Sequence, residues 1–203
     1  MLFKWDFLLF AGFRFAPHFG KLSKKPLNRA LVNKETMTTP IIILILLTSP
    51  LIVAFFISKV RGSELDVGKF ACWGLGIAFV FFSIGHVVKA DGMLQMLPSW
   101  IPFRLPVIYL TGLLEVIIGV ALFIPKHQAN ASKAAIVVFV IFFPANIYAA
   151  LNATGLGGHQ LGPVYLLIRL PLQLILIAWA YFLCVKSHNK LSQQDALKAR
   201  ASA

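Results

Sequence analysis

Residues 105–125 read LPVIYLTGLLEVIIGVALFIP, and this run decides the fold class. A helix needs about 20 apolar residues, at about 1.5 Å each, to cross roughly 30 Å of hydrocarbon. The run meets that length with a single charged residue, Glu115, near its middle. A carboxylate at bilayer depth is rare, and it normally faces a bundle interior rather than lipid.

Working outward, four more stretches have the same character. The first is 40–58, containing IIILILLTSPLIVAFFIS, and the second is 69–88, KFACWGLGIAFVFFSIGHVV. The others are 133–151 and 163–185. The chain of 203 residues is 59% hydrophobic and 13% charged, with a mean hydropathy of +0.81. Soluble domains carry about 25% charged residues. The expectation is an all-α polytopic membrane protein. A four-helix transmembrane bundle occupies 69–185, and one extra N-terminal transmembrane helix occupies 40–60. Pro50, Pro144 and Pro171 are predicted to kink their spans, which membrane helices tolerate.

The flanks are basic. Residues 1–39 alternate aromatic and charged positions (Phe3, Lys4, Trp5, Asp6, Phe7) and precede Lys21, Lys24 and Lys25. They read as a basic leader, interfacial or disordered. No signal peptide is recognisable there, and Met37 offers a second plausible start. Residues 186–203 form a basic polar tail.

The net charge of +12 comes from these flanks and from short loops, as membrane borders do. Membrane lipid therefore explains it, and nucleic acid is excluded as a partner. Without the leader, nine basic residues flank one face and two the other, which places the carboxyl end in the cytoplasm. With the leader counted, the two faces tie.

The spans carry a polar constellation. His86 lies near the end of the second span, Glu115 about 15 Å into the third, and Asn146 in the second half of the fourth. Arg169 lies about 9 Å into the fifth, with Gln173 one turn deeper. Because helix direction alternates, all five fall in the half of the bilayer nearest the connections 89–104 and 152–162. Gly112, Glu115 and Gly119 make one small-residue stripe, and small residues let helices approach closely. Tyr165, Arg169 and Gln173 make another stripe at i, i+4, i+8.

Desolvation disfavours a lone carboxylate, and a guanidinium can hold it ionised through two hydrogen bonds. A pair between Glu115 and Arg169, direct or through one water, is the expectation. His86, Glu115 and Arg169 are the candidate catalytic groups. Asn146, Gln173, Tyr165 and Trp100 are the candidate ligand contacts, with Trp100 on an apolar connection (92–102) that could fold over the bundle mouth or anchor at the interface. The bland alternative is that the amides act only as interhelical glue.

No metal motif is present, and a fixed cation opposes a divalent ion. Cys72 and Cys184 are the only cysteines. Far apart in sequence and inside apolar runs, they read as small buried residues.

The segments GHVVKADGMLQMLPSWIP, YLTGLLEVIIGVALFIP, FPANIYAAL and RLPLQLILIAWAYF, with their TGxxE, FPANI and RxPxQ elements, resemble the DoxX-like family of small bacterial membrane proteins. The resemblance covers about residues 69–185. It implies a four-helix bundle in a bacterial cytoplasmic (inner) membrane, with a redox association through an oxidoreductase accessory. A quinone is the cofactor this invites, since it needs an apolar slot with donors to its carbonyl oxygens. A membrane redox partner would be required, because the chain has no haem motif and no nucleotide fingerprint. It could carry electrons alone only if its cysteines were redox-active. The competing expectation is a non-enzymatic binder of a lipid-like ligand or a membrane assembly factor. A proton-coupled transporter ranks third, for want of broken half-helices.

Overall fold

The computed structural model describes residues 26–155, 158–187 and 200, with side chains from residue 38 onward. Most of the leader and most of the polar tail therefore lie outside the described residues. The elements are α1 (Pro26–Arg61), α2 (Val67–Val88), α3 (Ala90–Leu94), α4 (Arg104–Phe123), α5 (Gln128–Leu151) and α6 (Leu166–Trp179). Two 3-10 turns, Pro125–His127 and His159–Tyr165, precede α5 and α6. A π-helical segment, Ala180–Val185, prolongs α6. No strand occurs among the described residues.

Five helical stretches are long and apolar enough to cross a membrane: Thr38–Arg61, Val67–Val88, Arg104–Phe123, Pro125–Leu151 and His159–Val185. Their outward faces carry large apolar side chains such as Phe56, Leu110, Ile117, Ile141, Leu167 and Leu174. A water-soluble monomer does not present apolar surface on that scale. The molecule is a multi-pass membrane protein. It has a four-helix bundle of α2, α4, α5 and α6, with α1 appended to it.

The local chemistry explains the ends. Asp66 caps α2, its carboxylate accepting from the Lys69 backbone N–H at 3.0 Å. Helix α4 begins after Phe103, which adopts a left-handed conformation at φ 52°. Helix α1 runs back to Pro26, so its helical path reaches well into the segment read as a leader. Pro40 and Pro50 lie inside α1 without ending it.

The fifth span differs more from expectation. It opens as a 3-10 turn broken at Gly162 (φ 73°, ψ −153°), continues as α6 and closes in the π segment.

Lipid tails are as apolar as leucine, so bundle cohesion comes from close packing and internal hydrogen bonds rather than hydrophobic expulsion. Glycine allows two close backbone crossings. A Cβ on Gly74 would lie 1.9 Å from the Leu47 carbonyl oxygen, so α1 and α2 touch backbone to side-chain-free backbone. A Cβ on Gly119 would lie 3.2 Å from the Gly76 carbonyl, at the α2–α4 crossing. Phe79, Leu75, Leu122, Phe139 and Leu176 fill the shared core.

The two connections on the His86 side, 89–103 and 152–158, meet. Thr154 Oγ1 donates to the Gln95 carbonyl at 3.1 Å, and Met96 packs against Gly155. They close that end of the bundle.

Candidate functional site

The glycine stripe of α4 brings α2 close enough to lay an imidazole on it. A Cβ on Gly112 would lie 2.7 Å from His86 Cβ. Seated there, His86 Nδ1 is 2.8 Å from the Ile108 carbonyl and 3.2 Å from Thr111 Oγ1. Thr111 Oγ1 donates to that same carbonyl at 2.8 Å. A carbonyl oxygen only accepts, so Nδ1 carries a hydrogen. The other ring nitrogen, Nε2, is 3.2 Å from Glu115 Oε2.

The contact is an ion pair only when Nε2 also carries a proton. Glu115 is buried at 4% exposure. Its Oε2 has no aligned hydrogen-bond donor, so the contact is one of charge partners with an acceptor left over.

Arg169 comes from α6. It is half-buried as a residue, yet its Nε is fully enclosed without a hydrogen-bond partner. Its electrostatic neighbours are Tyr165 and Glu115. Among the described residues, however, the ion pair within 4.0 Å is His86–Glu115, and Glu115 and Arg169 form no direct pair. The reason is packing. Helix α4 is drawn onto α2 through glycine, whereas α6 packs chiefly on α5. The nearer imidazole takes the carboxylate.

The remaining candidates separate. Gln173 Nε2 reaches across to α5 and donates to the Phe139 carbonyl at 2.6 Å. Beside it lies a shallow lipid-facing niche of about 110 Å³, lined by Phe139, Val140, Leu170, Gln173 and Leu174. Asn146 Nδ2 donates to Phe142 within its own helix at 2.9 Å. Tyr165 is buried edge-on against the His159 ring, with centroids 4.7 Å apart. Trp100 is 79% exposed on the closing connection, where an interfacial anchor would stand.

The structure thus joins His86 and Glu115 directly, sets Arg169 as an electrostatic neighbour of Glu115 and Tyr165 as one of Arg169, and ties Gln173 to α5. Thr111 was missed in the sequence. The signal was available, since Thr111 lies one helical turn before Glu115 on the same stripe.

A family model described as a domain of unknown function, DUF8561, matches residues 75–184, more than half of the chain. The chain belongs to that family. This overturns the resemblance to DoxX-like proteins. Elements such as TGxxE and RxPxQ are short, and close-packed membrane helices supply such glycine, proline and polar spacings in unrelated bundles. Searches of curated proteins and of solved structures return no match.

Proposed function

We propose that this protein is a quinone-linked subunit or accessory of a membrane redox system, working through the His86–Glu115–Arg169 layer. The supporting observation is the enclosed Nε–H of Arg169, without a hydrogen-bond partner, beside the buried His86–Glu115 contact. A quinone presents a carbonyl oxygen that accepts from Arg169. On reduction by two electrons that oxygen takes a proton, which the His86–Glu115 pair is built to deliver. The electrons come from a membrane redox partner. The nine basic residues on one face against two on the other, counted without residues 1–39, support a carboxyl end in the cytoplasm.

A second reading has its own support. The amides of Asn146 and Gln173 are both spent on α5 carbonyls, and the niche beside Gln173 is small. On that reading the layer holds helices together for a lipid-like ligand or an assembling partner.

Titration of the purified protein with a fluorescent quinone analogue separates the two. The redox reading expects saturable binding that weakens at least tenfold in Arg169→Ala, about 1.4 kcal/mol. Analogue partitioning equally into wild type, variant and empty micelles would leave the assembly reading in place.

A further inference from the structure

Where α1 ends and α2 begins, an apolar groove of about 450 Å³ opens on the lipid side, lined by Leu51, Ile52, Phe55, Phe56, Leu65 and Val67. It lies at the end of the bundle opposite His86, which stands near the far end of α2.

The groove's walls follow from the chain path. Ile52, Phe55 and Phe56 stand at i, i+3 and i+4 on α1, and all three are exposed. Helix α1 stops at Arg61, and Gly62 takes a left-handed conformation (φ 64°) that turns the chain back. The Ser63 backbone N–H donates to the Ser58 carbonyl at 3.2 Å, and Ser58 Oγ donates to the Ser63 carbonyl, so the turn is fixed. Leu65 and Val67 then return beside Phe55 and Phe56 as the second wall.

Lys59 completes the α1 stripe at i+7 from Ile52, one turn beyond Phe55 toward the aqueous edge. It is exposed, and among the described residues neither Lys59 nor Arg61 forms an ion pair. Lys69 and Lys186 belong to the same end of the bundle, the latter beside Ser187, whose Oγ would lie 2.6 Å from a Cβ on Gly68. Their ammonium groups lie over aromatic rings, Lys69 at 5.3 Å from Trp73 and Lys186 at 5.7 Å from Phe182. The connection's acids are Glu64, which is exposed, and Asp66, which is engaged in capping α2. The four cations therefore outweigh the two acids, and Lys59 is the one placed on the groove's own stripe.

We propose that this groove binds one anionic phospholipid of the leaflet on the basic face, with an acyl chain along Phe55 and Phe56 and the phosphate on Lys59. An apolar groove under a positive rim complements a molecule with an apolar tail and an anionic head. A zwitterionic lipid fills the groove equally well, but its own cation cancels the gain at the rim. A second copy of the chain, packed symmetrically, would bring its own Lys59 to the contact, and like charges oppose that.

The test releases the full-length protein from micelles holding equal phosphatidylglycerol and phosphatidylcholine and counts retained lipids by native mass spectrometry. One phosphatidylglycerol per chain is expected, favoured over phosphatidylcholine at least tenfold. Lys59→Gln should cut that preference about fivefold, and Lys59→Arg should keep it. Lys126→Gln, at the same end of the bundle on another connection, should leave it unchanged. Ile52→Trp, which fills the groove, should lower retention of both lipids. Equal losses in Lys59→Gln and Lys126→Gln overturn the proposal, because the preference would then belong to the whole basic face. Equal retention of the two lipids, or a dimer that carries no lipid, overturns it as well. No quinone enters this measurement, so the two proposals fail separately.

Discussion

At the residue scale, the energetics concentrate in one contact. Removing one partner of a buried charge pair strands the other, at a cost of about 3–5 kcal/mol. Glu115→Leu should therefore destabilise the fold by that order in a denaturant titration in mixed micelles. His86→Leu should do the same, and the double variant should lose less than the two single losses added together. Coupled groups deviate from additivity by roughly 0.5–3 kcal/mol. Losses that add within the measurement error would mean that the 3.2 Å contact carries no coupling.

Glu115 was legible in the sequence because a lone carboxylate among apolar residues has one sensible direction to face. Its direct partner, His86, was read into the same layer without being paired with it. Sequence gives depth, and by depth Arg169 and His86 are equally eligible. It does not give the helix neighbour. That was set by glycines at 76, 112 and 119, which pull α2 rather than α6 onto α4.

At the element scale, those glycines are the sensitive points. Gly112→Val would place its Cβ within 2.7 Å of His86 Cβ, in a helix packed on both sides. Overpacking of this kind costs typically about 1–3 kcal/mol. The expected outcome is a lower unfolding midpoint together with loss of the His86–Glu115 coupling, read by the same double-variant comparison. Gly74→Val meets the Leu47 backbone instead, and backbone cannot rotate aside. It should release α1 from the bundle while α2, α4 and α5 stay assembled. Backbone hydrogen exchange that speeds up in α1 of the variant while α2, α4 and α5 keep their wild-type rates reports this directly. Val120→Ala, on the lipid face of α4, should leave both readouts unchanged.

The five spans and their approximate limits could be read from hydropathy, because a bilayer imposes one length on every crossing helix. The break at Gly162 falls at the Gly-Pro step where the expected fifth span begins. The π segment could not be read, because it depends on how the chain after α6 packs against α2 and α5.

At the scale of the whole molecule, the buried polar side chains are divided between the two ends of the bundle. His86 and Glu115 lie toward the end that carries the connections 89–103 and 152–155, and Gln128 and Ser132 lie toward the other. Cys72 and Cys184, far apart in sequence, are both buried in the shared core, and Cys72 Sγ lies 3.9 Å from Ser132 Oγ. Charge asymmetry adds an orientation: a reporter fused after Ala203 should report from the cytoplasm, and one inserted at Ser99 from the opposite side. The reverse result would invert the orientation.

The most direct test of the whole account is photolabelling with an azido-quinone in lipid nanodiscs, followed by peptide mapping. The account predicts labels on α4 around Glu115 and on α6 around Arg169, competed by unlabelled quinone and lost in Arg169→Ala. Labels spread over the lipid-facing side chains of α1 and α5, equal in wild type and variant, would contradict it.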